Sequence, residues 1–172
     1  MNKVAAICTG TALVAVLAFM QAEIEMVGQD VHDIKTFLIQ LPKDTVNYTS
    51  ADEECLAKNI YYEAGFEPEN GKYAVAQVTL NRLRTRQWGN SICSVVYAKA
   101  QFSWTLKKKL HKPQGDAWLE SRWIAHTVLA QNIRVAPLQD ATYYHADYVK
   151  PYWVKTVAKI QQVGTHIFYK KT

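Results

Sequence analysis

A chain of 172 residues with 20 Lys and Arg against 15 Asp and Glu, a formal charge of +5, has room for one compact domain with its own core plus an N-terminal appendage. The basic residues fall in scattered runs, Arg82, Arg84 and Arg86, then Lys107 to Lys109, then Lys170 and Lys171, which are either solvated faces or a surface for a polyanion. No arginine-rich arm, zinc-finger spacing or aromatic RNA-binding motif accompanies them, so nucleic acid is not an expected partner.

Met1 to Lys3 is a short polar start with one positive charge, and Val4 to Met20 follows without a charged side chain. This is the pattern of an export signal, intermediate between a cleaved signal peptide and a weak membrane anchor, so residues 1–22 are assigned to it. The protein is accordingly expected in the periplasm or cell envelope, tethered to the inner membrane by residues 4–20 if the segment is retained. Ile24, Val27, Val31, Ile34, Leu38 and Leu41 then recur at spacings of three and four, an amphipathic helix that packs on the domain or forms a stalk. Pro42 and the polar run Lys43 to Ser50 end it, which makes residues 23–50 helix and linker. With Cys8 inside the signal, Cys55 and Cys93 are left as a pair, and in an exported chain a disulfide between them is the default.

From residue 51 the pattern is helical. Ser50 or Asp52 can cap a first helix with Leu56, Ile60 and Ala64 on one face, and Gly65 supplies a stop. Pro68 opens a second helix, apolar on more than one side and therefore central. Asn90 or Ser91 caps a short third helix, Asp116 a longer one rich in tryptophan, and Pro151 to Val163 reads as another that Gly164 ends. Ala141 to Tyr144 and Thr165 to Tyr169 are β-branched and aromatic and can pair as two short strands. The expected class is mainly α (α+β), with a small two-stranded element, behind a hydrophobic N-terminal helix.

Glu63 closes the first arm of the helical hairpin. A carboxylate in the last turn of a helix meets the negative end of the dipole, and Tyr61, Tyr62 and Phe66 surround it with apolar bulk, so both effects favour the protonated form. A glutamic acid protonated near neutral pH is what acid catalysis of glycosidic cleavage requires. Taken alone, a glutamate at a helix end is more often simply exposed.

The run Cys55-Leu-Ala-Lys-Asn-Ile-Tyr-Tyr-Glu63-Ala64, followed by Glu67-Pro68, Gly71, Ala74 to Val78 and Leu80-Asn81-Arg82, closely resembles the SleB-type cell-wall hydrolase family. So do Ile92 to Tyr97, Gln101-Phe102-Ser103-Trp104, Ala141 to Trp153, and Gly164 to Tyr169. The resemblance implies a lysozyme-like helical domain over residues 51–172. It further implies a lytic transglycosylase that cuts between N-acetylmuramic acid and N-acetylglucosamine, with Glu63 as the catalytic glutamate. By the same analogy Gln101, Ser103, Tyr144, His145 and Asp147 line the sugar cleft, with Glu67 as a second acid of the site or a brace for the turn. Peptidoglycan strands become the expected partner, the protein acting as a monomer with no cofactor. His145 and Asp147 lack a third close ligand at zinc spacing, so no metal is expected. Asn81 and Arg82 read as polar residues inside the hairpin, where a hydrogen-bonding structural role is an even choice.

The chain departs from the family pattern in two places. Gly65 and Phe66 stand where the family commonly has Arg-Gly, and Ala100 and Leu106 stand where many exported relatives have cysteines. Two other readings remain open, a muramidase on the same fold that uses water, with a second carboxylate such as Glu67 or Asp147 across the cleft, and, in a different class, a non-catalytic glycan-binding module. A zinc amidase is a third, distinguished by loss of activity to chelators.

Overall fold

A computed structural model describes residues 38–40 and 48–172. The expected export segment, the amphipathic stripe up to residue 37 and residues 41–47 of the linker lie outside the described residues. Among those described, no helix is long and apolar enough to cross a membrane.

Helix α1, Ser50–Ala64, starts at Thr49, one residue before the expected caps. Thr49 Oγ1 accepts from the Asp52 amide at 3.1 Å while Asp52 Oδ2 accepts from the Thr49 amide at 3.2 Å, a reciprocal capping box. Leu56, Ile60 and Ala64 share its buried face as expected. The helix ends at Gly65, whose backbone is right-handed at φ −57°, so the chain turns without a left-handed cap. A side chain at position 65 would place its Cβ 2.5 Å from the Tyr61 carbonyl oxygen, and that contact is the reason for glycine here.

Helix α2, Glu69–Thr85, is the central element and is buried continuously from Gly71 to Arg82. Its buried polar side chains all reach outward to other elements. Lys72 pairs with Glu120 at 2.6 Å, and Gln77 Oε1 accepts from the Val135 amide at 2.9 Å. Asn81 Nδ2 donates to the carbonyls of Leu138 and Ala141, both at 2.8 Å, and Arg82 Nε donates to the Thr142 carbonyl at 2.9 Å. The hydrogen-bonding role read for Asn81 and Arg82 is therefore present, and it fixes the chain as it enters the sheet.

Helix α3, Ile92–Val96, is capped by Ser91 and joined to α1 by the Cys55–Cys93 disulfide, with the two Cα atoms 5.2 Å apart. A 3-10 turn, Ser103–Leu106, leads to α4, Gly115–Ala130. Asp116 lies in the first turn of α4 rather than at its cap, which is Gln114.

Two small sheets complete the domain. Leu38–Gln40 forms β1 and pairs antiparallel with β2, Ile133–Val135, so the amphipathic helix read through Leu41 does not extend over Leu38. The expected pair is present as β3, Tyr143–Ala146, and β5, His166–Lys171, but the sheet has three strands in the order β3-β5-β4. The third, β4, is Val157–Val163, where the sequence pattern suggested a helix from Pro151. Pro151 opens only a 3-10 turn, Tyr152–Thr156. A register shift between Lys159 and Gln161 then inserts a bulge into β4, so Val157, Ile160 and Val163 recur every third residue and mimic a helical face.

Candidate active site

Asn59 and Glu63 lie one turn apart on the same face of α1. Asn59 Nδ2 donates to Thr79 Oγ1 on α2 at 3.1 Å, and its Oδ1 accepts from the Trp104 indole at 3.0 Å. Helix α1 is thereby locked to the central helix and to the turn after Phe102, and Glu63 is delivered toward β3. There the Tyr144 hydroxyl donates to Glu63 Oε2 at 2.8 Å. Burial pushes the Glu63 carboxyl above its ordinary range, and the Tyr144 hydrogen bond and the charges of Arg82 and Lys107 counter only part of that rise. Tyr144 itself is pushed well above the usual phenol range by burial and by the adjacent Glu63, so it stays an O–H donor.

Arg82, buried at 5% exposure, is near enough for its charge to act on both Glu63 and Tyr144. Its guanidinium packs between the Phe102 ring, 5.0 Å from the ring centre, and the Trp88 ring at 5.4 Å. Nε is used on Thr142, while the buried Nη1 has no hydrogen-bond partner.

Other expected site residues divide into those near Glu63 and those turned away. Gln101 and Ser103 flank the buried Phe102 that supports Arg82, with Ser103 exposed and Gln101 Nε2 donating to the Lys99 carbonyl at 3.3 Å. Strand alternation separates Tyr144 from His145. Tyr144 packs against His166 and Phe168 on the Glu63 side, whereas His145 stacks on Tyr169 and meets Trp153 edge-on. Both ring nitrogens of His145 are engaged, Nδ1 with the Ala146 carbonyl and Nε2 with the Tyr169 hydroxyl, each at 2.8 Å, so His145 does not join Glu63.

Glu67 braces the molecule at the neighbouring turn. Its Oε2 accepts from the Thr165 amide at 2.9 Å and its Oε1 from the Thr165 hydroxyl, clamping the β4–β5 turn onto the α1–α2 connection. A Cβ at Gly164, where φ is +57°, would fall 1.9 Å from Glu67 Oε2. His166 Nδ1 is 4.0 Å from Glu67 Oε1, too long for a hydrogen bond, and burial lowers the His166 pKa despite Glu67 and Asp147. Asp147 is exposed and accepts from Gln162 at 3.2 Å.

Around the end of α1 an aromatic wall forms. Tyr62 stacks on Trp104 with ring centres 4.6 Å apart and donates its hydroxyl to the His111 carbonyl at 2.8 Å, and Tyr61 meets Trp118 edge-on. This wall anchors the basic loop that begins at Lys107. A cavity of about 730 Å³ lined by Arg84, Arg86 and Arg134 includes none of the expected cleft residues, and its carboxylate, Asp52, is consumed by the α1 cap and by the Cys93 amide.

The family model described as Cell Wall Hydrolase matches residues 66–169. The spore cortex-lytic enzyme of Oceanobacillus iheyensis is 31% identical over 125 residues, covering 72% of this chain and 43% of that protein. The spore cortex-lytic enzyme of Bacillus subtilis is 28% identical over 122 residues, 70% of this chain and 38% of that protein. The chain belongs to the cell wall hydrolase family. It spans about two fifths of the length of these curated relatives. Its fold resembles the crystal structure of the catalytic domain of the Bacillus cereus SleB protein, with TM-score 0.60 and 24% identity over 73% of this chain and 94% of that one. It also resembles the catalytic domain of the germination-specific lytic transglycosylase SleB from Bacillus anthracis, with TM-score 0.58 and 24% identity over 76% of this chain and 100% of that one. The family match begins three residues after Glu63, so the placement of Glu63 rests on the run that precedes it and on its contacts.

Proposed function

We propose that this domain is lysozyme-like and cleaves the glycan strands of peptidoglycan at the bond between N-acetylmuramic acid and N-acetylglucosamine, as a lytic transglycosylase with Glu63 as its one acid and base. The observation that carries the reading is the Glu63 carboxyl, raised in pKa by burial and hydrogen-bonded by the neutral Tyr144 hydroxyl. The names of the relatives, cortex-lytic enzymes and a lytic transglycosylase, agree with it.

In this mechanism protonated Glu63 gives its proton to the bridging oxygen as the glycosidic bond breaks. Positive charge then develops at the anomeric carbon of the muramic acid. The C6 hydroxyl of the same sugar attacks that carbon, aided by the high effective concentration of a tethered nucleophile, and ionised Glu63 takes up the hydroxyl proton. The cycle consumes no water and returns Glu63 to its starting state. A hydrolytic muramidase would need a second carboxylate free to activate water. Glu67 is committed to Thr165, and Asp147 is held by Gln162, which favours the single-glutamate route.

The test is mass spectrometry of the fragments released from peptidoglycan in isotopic water. Anhydromuramic ends, lighter by one water and free of label, are expected. Reducing muramic ends carrying the label would assign a hydrolase instead. We further propose that the domain acts in the cell envelope, exported by residues 4–20. Cell fractionation with and without those residues reads this, and retention in the cytoplasm would remove it.

A further inference from the structure

An acid that later serves as base must spend part of each cycle ionised in a buried site. The same burial that keeps resting Glu63 protonated opposes that ionised state. Tyr144 supplies one hydrogen bond to the carboxylate but no charge. Arg82 supplies the charge. It remains a guanidinium cation even though burial lowers its pKa, with Tyr144, Glu63 and Tyr143 acting to raise it.

Leaving a guanidinium N–H buried without a partner is costly, and Arg82 Nη1 is such a group. The ring planes of Phe102 and Trp88 and the Nε bond to Thr142 hold Arg82 in place, so the unused Nη1 is a fixed donor rather than a wandering one. Thr142 is two residues before Tyr144 on the same extended stretch, so one guanidinium anchors the strand that carries the hydroxyl donor and carries the cation itself.

We propose that Arg82 is the positioning and counter-charge residue for the ionised state of Glu63. Its free Nη1 is held in reserve for the carboxylate that exists only after the proton has left. The inference deepens the lytic transglycosylase reading and rests on it. Tyr144, from β3, Arg82, from α2, and Lys107, just after the 3-10 turn, are the groups that act on the Glu63 carboxyl. Lys107 is exposed, so solvent screens its field more than that of the buried Arg82.

The experiment is an NMR titration of the Glu63 side-chain carboxyl in wild type, Arg82→Met and Arg82→Lys, alongside pH profiles of glycan cleavage. With Arg82→Met, Glu63 titrates about one unit or more higher. In the same variant kcat falls about tenfold or more with KM little changed. Arg82→Lys, which keeps the charge, returns both toward wild type. A merely structural role would lower the melting temperature in both variants without moving the Glu63 titration. An unmoved Glu63 titration and pH profile in folded Arg82→Met overturns the proposal.

Should Arg82→Met not fold, the wild-type protein still decides. Its Arg82 guanidinium resonances are expected to follow the Glu63 titration and to lose that inflection in Glu63→Gln, whereas a flat Arg82 signal in wild type overturns the coupling. An active Glu63→Gln enzyme is a separate failure, because it removes the acid itself and with it the step that needs a counter-charge.

Discussion

The Tyr144 hydroxyl donates to Glu63 Oε2 at 2.8 Å, joining the end of the first helix to a strand 81 residues later. A neutral donor on a carboxyl oxygen favours the ionised form. Its loss in Tyr144→Phe should therefore raise the Glu63 pKa further and carry the alkaline limb of the activity profile upward. Hydrogen bonds to charged groups are worth about 1.5 to 3 kcal/mol, so a fall in kcat of about tenfold or more is expected. The ring still packs on His166 and Phe168, so the fold should persist, with the melting temperature lowered by about 2 to 4 °C for the roughly 1 kcal/mol that the bond adds to stability. An unshifted pH profile would show that the bond has no part in setting the acid.

Glu67 should respond differently. It holds the amide and hydroxyl of Thr165, so Glu67→Ala removes a clamp between two turns rather than a proton donor. A stability loss of about 1 to 3 kcal/mol is expected, with activity reduced modestly. Gly164→Ala should act through the same clamp, because its Cβ collides with Glu67 Oε2 and its φ of +57° disfavours any side chain. Chemical denaturation and cleavage rates separate the two effects. Complete loss of activity in a folded, stable Glu67→Gln protein would instead make Glu67 a second reacting carboxylate.

Reduction of the Cys55–Cys93 bridge, with its sequence separation of 38, should cost about 2 to 4 kcal/mol, chiefly by releasing the unfolded chain. The bridge ties α1 to α3 on the side of α1 opposite in sequence to Glu63. Thiol reductant should therefore lower the denaturation midpoint while cleavage at low temperature persists. An unchanged midpoint would mean that the bridge adds nothing to folding.

What could be read from the chain alone follows the range of the interactions concerned. Helices α1 to α3 are marked by local signals, the Ser91 cap, the break at Gly65 to Pro68, and apolar spacing, and are legible in the chain, although the α1 cap is Thr49 where the pattern points to Ser50 or Asp52. For Glu63 the helix end and aromatic neighbours are local facts but a weak signal, and it is the family resemblance that singles the residue out. Strand β4 is not legible, since a bulge gives Val157, Ile160 and Val163 the period of a helix. The family resemblance groups His145 with Tyr144 as one segment, whereas adjacent residues on a strand face opposite ways and His145 is engaged by Tyr169 and Trp153. Arg82 was recognisable only as a structural hydrogen-bonder. What holds its guanidinium in place is the bond from Nε to the Thr142 carbonyl, 60 residues later, which no local pattern encodes.

The Glu63 carboxyl has an ordinary value of 4.5 and is raised in the fold by burial. Its contribution to stability is fully present below the unfolded value and is lost as pH rises through the folded one. Glutamine at this position has the same shape and no titration, so Glu63→Gln should approach wild type in pH response near pH 4 and gain on it as pH rises. His166 works in the opposite direction. Burial lowers its pKa from 6.5, so its contribution is present above that value and is lost as pH falls through the folded one. Because His166 is common to both proteins, it bends both curves on the acid side and cancels in their difference. Melting temperatures measured from about pH 4 to 8 should therefore diverge steadily, by about 2 to 4 °C for each kcal/mol of relief, with Glu63→Gln the more stable at the alkaline end and inactive throughout. A gap that stays constant across the range would mean that Glu63 titrates in the fold as it does in the unfolded chain, and the buried acid on which the catalytic reading depends would be gone.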